Sequence, residues 1–292
     1  MKVKNPVKNF LREKVLRYMP DRMYLKLKYK VAMNKKLDLK SPTTYNEKLQ
    51  WLKLHDRNPI YTQMVDKYEA KRYVAERIGE EYIIKTFGVW RHFDEIDFDT
   101  LPDRFVLKCT HDSGGLVIVK DKNTLDKTVA KKKIEKCLKR NFYYSGREWP
   151  YKNVKPRIIA EEYMEDSKTA ELRDYKFFTF NGEVKALFIA SERQKEDEET
   201  KFDFFDADYN HLPVRNGHPN AAIPPEKPEN FEKMKELASK LGEGIPHLRV
   251  DFYEVDGKIY FGELTFSHWS GMVPFEPAEW DKTFGDWITL PR

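Results

Sequence analysis

The residues in this sequence whose types and spacing could do chemistry lie in two predicted hairpins. In the first, Lys108 ends a strand and is followed by the turn 112–115, which reads Asp-Ser-Gly-Gly. Glycines let a backbone approach an anion closely, successive N–H groups can point at phosphate oxygens, and a lysine adds a point charge. The turn is not of the Gly-x-x-x-x-Gly-Lys-Ser/Thr type, because that motif is absent. Alone, a lysine before a glycine turn is more often structural, so the turn indicates an anion site only together with other groups.

The second hairpin carries charged residues on neighbouring strands. Arg249 and Asp251 lie on the incoming strand, and Glu263 and Thr265 lie on the outgoing one. Apolar and polar side chains alternate along 248–253, so one face of this strand is apolar and the other is polar. Two carboxylates on neighbouring strands would form a hard oxygen site suited to Mg2+, with phosphate oxygens completing the shell.

This metal site has a geometric condition. The turn of the hairpin is predicted at Asp256-Gly257. A loop of two or four residues there places Asp251 and Glu263 on opposite faces, whereas a three-residue loop or a β-bulge aligns them. The metal site therefore requires an odd loop or a bulge, and the alternative is a solvated hairpin with its charges facing outward.

The elements that must position these groups are predicted from hydrophobic periodicity and turn residues. Helices are expected after the break at Ser41 and at 62–78, 123–138 and 231–241; strands at 105–110, 116–119, 157–163, 172–180, 184–190 and in the hairpin 247–266; loops at 194–200 and 219–228. The dipeptide Asn181-Gly182 favours a type I′ turn between two of these strands. Strands in hairpins with a few helices predict an α+β protein with antiparallel sheets.

The composition predicts a folded chain without a membrane span. With 40% hydrophobic and 14% aromatic residues, the chain can bury a core despite 35% charged residues. The longest run without Asp, Glu, Lys or Arg is 264–275, which is shorter than the about 20 residues of a membrane-spanning helix. Because only Cys109 and Cys137 are present and the N-terminus has no apolar signal segment, we expect a cytoplasmic protein.

Basic residues are concentrated at the N-terminus. Residues 1–40 hold 13 Lys/Arg against three acidic residues, a net charge of +10, whereas the whole chain carries +5. Two short amphipathic helices, separated at Met19-Pro20, are predicted in this segment. Three interpretations stay open: a helix packed on the protein with a solvated basic face, contact with an anionic membrane surface, or contact with a polyanionic substrate. Nucleic acid is disfavoured, since no recognisable binding module accompanies the charge.

Five spaced motifs, read in order, resemble the ATP-grasp fold and look most like its TupA-like branch, which occurs among bacterial polysaccharide genes. The motifs are Asp66-Lys67, Lys108 with its Ser-Gly-Gly loop, 160–164 (Ala-Glu-Glu-Tyr-Met), 248–251 (Leu-Arg-Val-Asp) and 261–265 (Phe-Gly-Glu-Leu-Thr), with Ser-Gly-Met at 270–272. The stretches 101–108, 147–152, 156–163 and 174–178 also look like that branch. The resemblance covers about residues 40 to 290. No single motif is specific for this family, but the five motifs in this order are.

The resemblance implies a fold of two α+β lobes whose antiparallel sheets clamp ATP. We expect a basic helical segment over 1–60, a first lobe with the phosphate loop and adenine hinge over 61–165, and a second lobe with the metal and catalytic site over 166–292. The short basic segment stands where related ligases have a Rossmann-like substrate domain.

Roles for individual residues follow from the resemblance. It implies phosphate binding by Lys67 and Lys108, a flap over the phosphates at Ser113, Gly114 and Gly115, an adenine hinge at Glu161, Glu162 and Met164, Mg2+ ligands at Asp251 and Glu263, and a cation beside the transferred phosphate at Arg249. Arg249 and Lys108 are the expected catalytic residues. Thr265 would be a further metal ligand, at a position where related ligases usually have asparagine. Lys176 and Arg193 are additional candidates for phosphate contact.

The implied function is an ATP- and Mg2+-dependent carboxylate-amine ligase that forms an amide through an acyl phosphate. The resemblance points to an amino acid or amine joined to a uronic acid, free, nucleotide-linked or within a glycan, in capsular or cell-wall polysaccharide biosynthesis. One alternative is a glycosyltransferase, for which Asp206-Ala-Asp208 has the form of an Asp-x-Asp metal motif. The other is a non-catalytic, membrane-associated assembly protein that uses the basic segment.

Overall fold

Two antiparallel sheets organise the chain in a computed structural model, which describes residues 16–167, 172–192 and 199–291. The strands are β1 Thr86–Trp90, β2 Phe105–Cys109, β3 Leu116–Val119, β4 Ile158–Glu162, β5 Asp174–Phe180, β6 Glu183–Ser191, β7 Lys201–Asp206, β8 His211–Leu212, β9 Leu248–Val255 and β10 Lys258–Thr265. The first sheet has the strand order β1-β4-β2-β3 and the second the order β10-β9-β5-β6-β7-β8. This confirms the predicted α+β class with antiparallel sheets.

Helices flank both sheets. They are α1 Asp21–Met33, α2 Tyr45–His55, α3 Ile60–Val65, α4 Glu69–Ile78, α5 Lys127–Leu138, α6 Tyr143–Gly146, α7 Phe231–Gly242 and α8 Glu279–Trp287. Helix α2 begins with a capping box, in which the Thr44 hydroxyl accepts the Glu47 N–H and the Glu47 carboxylate accepts the Thr44 N–H. Within the described ranges, no helix has both the length and the apolar character to cross a lipid bilayer.

The first sheet has one apolar and one polar face. Leu107 and Ala160, paired on β2 and β4, are fully buried in a cluster with Ile134 of α5. Because side chains alternate along a strand, Lys108 and Glu161 point to the opposite face. The polar face of this sheet therefore lies on the side opposite helix α5 and can take part in a site.

The second sheet is buried on both faces. Phe177 packs in a core with residues of α4 and α7, and its neighbour Phe178 packs in a core with residues of α2 and α8. Strand β5 is consequently buried along its whole length. The predicted division of the chain at 60 and 165 stays a prediction; α3 and α4 contribute Met64 and Val74 to the core of this second sheet.

Several predicted elements differ from the structure. The helix expected over 62–78 is split into α3 and α4, because the Asp66 carboxylate accepts the N–H groups of Tyr68 and Glu69 and starts a new helix. Strand β7 and helix α8 were not predicted. Most of the first predicted N-terminal helix and most of the loop 194–200 lie outside the described residues, whereas the second N-terminal helix corresponds to α1.

Replacing Phe284 by alanine should test the contact between α8 and the second sheet. Its ring is fully buried, with centroids 5.4 Å from Phe178 and 5.7 Å from Tyr45. We expect Phe284→Ala to lower the free energy of unfolding by about 3 to 5 kcal/mol, because it leaves a cavity. Denaturant unfolding checks this, with Ile223→Ala at an exposed position as the control that changes by less than about 0.5 kcal/mol. Equal effects of the two substitutions would contradict the packing.

Candidate active site

A bulge in the β9–β10 hairpin brings two carboxylates to the same face. The hairpin turns over two residues, Asp256 (φ 50°) and Gly257 (φ 75°), which alone would separate Asp251 and Glu263. The register shifts between Phe261 and Glu263, after which Glu263 lies directly opposite Asp251. Gly262 is the extra residue, and a Cβ there would lie 3.1 Å from the Asp251 carbonyl oxygen. The geometric condition set by the sequence is met by a bulge.

Arg249 lies at the centre of this group. Its guanidinium donates from Nε to Asp251 Oδ1 at 2.7 Å and from Nη2 to Asp251 Oδ2 at 2.8 Å. Nη2 also donates to Glu263 Oε1 and to Thr265 Oγ1, both at 3.0 Å. Its Nη1 donates to His268 Nδ1 at 2.8 Å, so the proton of this imidazole lies on Nε2, which donates to Asn216. The arginine therefore links both carboxylates, the threonine and a neutral histidine.

Lys176 reaches the same carboxylate from the neighbouring strand. It is paired with Asp251 in the register between β5 and β9, and its Nζ lies 2.5 Å from Asp251 Oδ2. A second ion pair, 3.0 Å long, joins Lys176 to Asp174. The structure thus places Lys176 within the carboxylate group.

The two carboxylates have different surroundings. Asp251 is almost fully buried, and burial raises its pKa above the usual value, although the charges of Arg249 and Lys176 oppose this. The Glu263 side chain is 38% exposed. Burial raises its pKa as well, but Lys67, Arg249 and Lys176 outweigh this and lower the pKa to about 2. Glu263 is therefore an ionised carboxylate with an oxygen accessible to a ligand.

Lys67 connects this group with the glycine turn of the first sheet. Its Nζ lies 3.9 Å from Glu263 Oε2 and donates to the Asp112 carbonyl oxygen at 3.1 Å. The backbone is joined as well, since the Lys67 N–H donates to the Thr110 carbonyl oxygen. The turn and the carboxylates therefore face each other across one lysine side chain.

The loop 110–115 is held closely at one end and exposed at its tip. Ser113 and Gly114 are exposed, and the Gly114 N–H donates to the Asp112 carboxylate at 3.0 Å. Gly115 is buried, and a Cβ there would lie only 2.4 Å from Cys109 Sγ and 2.7 Å from Cys137 Sγ. A larger residue than glycine cannot fit at position 115 without displacing a buried thiol.

A second charged group lies on the polar face of the first sheet. Lys108 Nζ lies 2.5 Å from one oxygen of Glu161, and Lys71 Nζ lies 2.6 Å from the other. Burial raises the pKa of Glu161, but the charges of the two lysines outweigh this and leave the pKa below its usual value. Glu161 is thus a buried, ionised carboxylate that aligns two lysines. Glu162 is exposed and Met164 is half-buried at the end of β4, whereas Arg193 lies outside the described residues.

The sequence of this chain matches a known protein family. The model of the family described as TupA-like ATPgrasp matches residues 47–289. The chain belongs to the TupA-like ATP-grasp family. This confirms the resemblance stated from the motifs. A search of curated proteins finds no match.

Several solved structures are similar to this ATP-grasp chain. The D-alanine–D-alanine ligase from Bacillus anthracis complexed with ATP is 13% identical with a TM-score of 0.40, over 77% of this chain and 57% of that one. The D-alanine–D-alanine ligase from Helicobacter pylori is 14% identical with a TM-score of 0.40, over 84% of this chain and 69% of that one. The ATP-grasp ligase PsnB complexed with minimal precursor, Mg and ADP is 12% identical with a TM-score of 0.39, over 76% and 57%. The chain spans 57% of the length of the first ligase.

Sequence reasoning missed two residues beside the candidate site of this ATP-grasp chain. Lys71 was not predicted, although it follows Lys67 by four residues and shares Glu161 with Lys108. Tyr151 was also missed; burial, followed by the charge of Glu263, raises its pKa well above the usual value. Tyr151 could have been found from the sequence, because it lies in the stretch 147–152 that resembles the TupA-like branch. No local pattern indicated the pairing of Lys71 with Glu161, because the contact depends on the packing of α4 against the first sheet.

The Asp-x-Asp motif has a structural explanation in this family member. The Asp206 carboxylate accepts the N–H groups of Asp208 and Asn210 and the Asn210 side-chain amide. These bonds close the turn after β7, so the motif is used to form a turn. It gives no support to the glycosyltransferase alternative.

Acid should weaken the contribution of Glu263 to stability. Because its pKa is lowered from the usual 4.5 to about 2, ionised Glu263 stabilises the folded state above pH 4.5, and this stabilisation is lost as the pH falls towards 2. We expect the gap in unfolding free energy between the wild type and Glu263→Gln to shrink over that range. Denaturant titrations at several pH values measure the gap, with Glu279→Gln on the exposed start of α8 as control. A gap that stays constant or widens in acid would contradict the assigned surroundings.

Proposed function

We propose that this protein is an ATP- and Mg2+-dependent carboxylate-amine ligase that forms an amide through an acyl phosphate. In this proposal it joins an amino acid or amine to a uronic acid in capsular or cell-wall polysaccharide biosynthesis, in the cytoplasm. Membership of the TupA-like ATP-grasp family supports the reaction class. The choice of a uronic acid rests on the family resemblance alone, and so does the pathway.

One observation carries the proposal: Lys67 Nζ donates to the Asp112 carbonyl oxygen of the glycine turn at 3.1 Å and lies 3.9 Å from Glu263 Oε2, so the turn and this carboxylate lie on either side of one lysine side chain. A triphosphate needs this combination, since its oxygens must meet cations and a divalent ion at once. Groups scattered over separate surfaces could not perform phosphoryl transfer. The pairing of the two hairpins across Lys67 therefore supports a nucleotide site.

The side chains present fit Mg2+. Asp251 and Glu263 offer carboxylate oxygens, and Thr265 offers a hydroxyl oxygen, so every donor is a hard ligand of the kind that Mg2+ prefers. The hydroxyl oxygen lies 3.1 Å from Glu263 Oε1, close enough to share one ligand shell. Mg2+ bound there would neutralise charge on phosphate oxygens. Arg249 pairs with both carboxylates and Lys176 pairs with Asp251, so both side chains would turn towards phosphate oxygens when a metal ion occupies the carboxylates.

The nucleotide would enter by displacement of the loop 110–115. The recess between Lys67, Tyr151 and Glu263 encloses about 10 Å³, which is too small for a triphosphate. The tip residues Ser113 and Gly114 are exposed, and after this displacement their N–H groups would cover the phosphates. A larger cavity of about 1010 Å³ lies elsewhere, beside Asp66 and Arg157, and includes none of the proposed phosphate or metal ligands.

The proposed reaction has two balanced steps. A carboxylate oxygen of the first substrate attacks the γ-phosphorus, the bond to the β–γ bridging oxygen breaks, and ADP leaves. The amine then attacks the acyl carbon, phosphate leaves with the bonding electrons, and the amine loses a proton. Lys67, Lys108 and Arg249 would hold the oxygens that carry the charge, so no nucleophilic side chain is required. The adenine would lie near Glu161, Glu162 and Met164 at the end of β4, with Lys176 and Arg193 as further phosphate contacts.

Removal of Lys108 should weaken nucleotide binding. Lys108→Met keeps the aliphatic stem but removes the charge that would meet a phosphate oxygen, and Lys71 still pairs with Glu161 at 2.6 Å. We expect the dissociation constant for ATP to rise about tenfold or more. Calorimetric titration measures it, with Lys120→Met, an exposed lysine after β3, as the matched control. Unchanged ATP affinity in Lys108→Met would remove this residue from the site.

Neutralising Glu263 should abolish turnover that depends on Mg2+. Glu263→Gln keeps the shape of the side chain but loses the negative charge that the metal requires, and we expect the rate of ADP release to fall at least about a hundredfold. The assay combines uronic acids and amines with ATP and reads ADP formation, with Glu279→Gln as the control that stays active. Wild-type rates in Glu263→Gln would exclude this carboxylate as a metal ligand. Release of ADP that needs neither a carboxylate nor an amine would contradict the ligase reaction.

A further inference from the structure

Helix α1 has an exposed face on which apolar and basic stripes run side by side. Met23, Leu27 and Val31 follow one another at intervals of four residues, and their side chains are 59%, 48% and 71% exposed. Arg22, Lys26 and Lys30 follow the same interval and are exposed as well. Residues four apart lie on the same side of a helix, so the two sets form adjacent stripes. We call this surface the α1 face.

The opposite side of α1 is fixed to the rest of the protein. Tyr24, Leu25, Tyr29 and Met33 are buried in a cluster that includes Met272. The apolar residues of the α1 face are therefore not needed for packing, since the helix already has a complete buried side. Exposed leucine and valine at regular spacing on an anchored helix need another explanation.

Buried polar contacts hold the start of α1 in place. Arg147 is 1% exposed and donates from Nη2 to the carbonyl oxygens of Leu16 and Met19, at 2.6 and 3.2 Å. Its Nε lies 3.3 Å from the Asp21 carboxylate, and the Tyr143 hydroxyl donates to the same carboxylate at 2.6 Å. The acidic residue of α1 is thus turned towards the protein, and the α1 face is left without negative charge.

The charge of the α1 face extends beyond it in the sequence. Lys35 and Lys36 follow the helix and are exposed. The residues before it, 1–15, contain five basic residues against Glu13 and lie outside the described residues. This charge favours an anionic partner, and the exposed Leu27 and Val31 favour one that also accepts apolar side chains.

We infer that the α1 face docks the protein on an anionic phospholipid surface, with Met23, Leu27 and Val31 inserted among the lipid chains and the basic stripe at the headgroups. An amphipathic helix with lysines beside an apolar stripe lies in the interface of such a membrane. A soluble polyanion would match the charge but gains nothing from exposed leucine and valine. A second copy of this chain would bring the same positive charge against itself. This inference does not depend on the ligase function.

Docking through α1 would bring the membrane surface close to the candidate active site. The buried side of α1 contacts Met272, which follows the end of β10 by a short loop. Only the width of one helix, about 10 Å, would separate the bilayer surface from this loop. A substrate carried on a lipid could therefore approach the site from the membrane.

Vesicle sedimentation of the full-length protein tests the inference. We expect binding to vesicles that contain phosphatidylglycerol and little binding to phosphatidylcholine alone. Leu27→Glu/Val31→Glu should lower the partition coefficient roughly tenfold or more, since two inserted apolar side chains are lost. Lys26→Glu/Lys30→Glu should lower it about fivefold or more per residue. The thermal midpoint and ATP binding report whether each variant stays folded.

Matched substitutions on another surface provide the control. Val129→Glu/Ile223→Glu change two exposed apolar residues, and Lys132→Glu/Lys133→Glu change two exposed lysines, all away from α1. These four changes should leave vesicle binding within about twofold. Equal losses in the α1 and control variants would overturn the inference. Three other results would also overturn it: vesicle binding that is unchanged in Leu27→Glu/Val31→Glu, preferential binding to soluble polyglutamate, or a dimer that Leu27→Glu dissociates in the absence of lipid.

Discussion

The register between strands β9 and β10 is the constraint on which the rest of the structure depends. A two-residue turn between β9 and β10 would leave Asp251 and Glu263 on opposite faces, and the extra residue at Gly262 brings them together. Arg249 then bridges the pair, with Lys176 arriving from β5 at 2.5 Å. A charged group this dense needs each member to have a partner, since an unpaired buried charge costs several kcal/mol. The bulge therefore decides whether Asp251 and Glu263 meet on one face of the second sheet.

The two sheets contribute opposite kinds of group to that site. The first sheet offers Lys108 and a glycine turn, and Glu161 of β4 aligns Lys108 with Lys71 of α4. The second offers carboxylates with an arginine between them. Lys67, which stands between α3 and α4, reaches both sides. A triphosphate bound with a divalent ion requires this division of charge. The break of the predicted helix at Asp66 matters here because it places Lys67 between α3 and α4.

Local signals account for the parts of the fold that the sequence predicts. Asn181-Gly182 and Asp256-Gly257 both adopt positive φ in two-residue turns, so both hairpins could be predicted from four residues. Strand β7 was missed because Phe202, Phe204 and Phe205 are all buried and give no alternation. Helix α8 was missed because its aromatic residues, its two aspartates and Gly285 are weak helix formers. The sequence leaves two registers for the hairpin, one with Asp251 and Glu263 on opposite faces and one with both on the same face. It cannot place the bulge that decides between them, because the bulge depends on packing against the neighbouring strand β5.

The most direct measurement for the central claim is a crystal structure of the protein with Mg2+ and a non-hydrolysable ATP analogue. We expect a metal ion within about 2.2 Å of oxygens from both Asp251 and Glu263. We also expect phosphate oxygens in contact with Lys67 and Lys108, and the Arg249 guanidinium turned from Asp251 towards the terminal phosphate. A nucleotide bound at another surface, or a metal ion that contacts neither carboxylate, would contradict it.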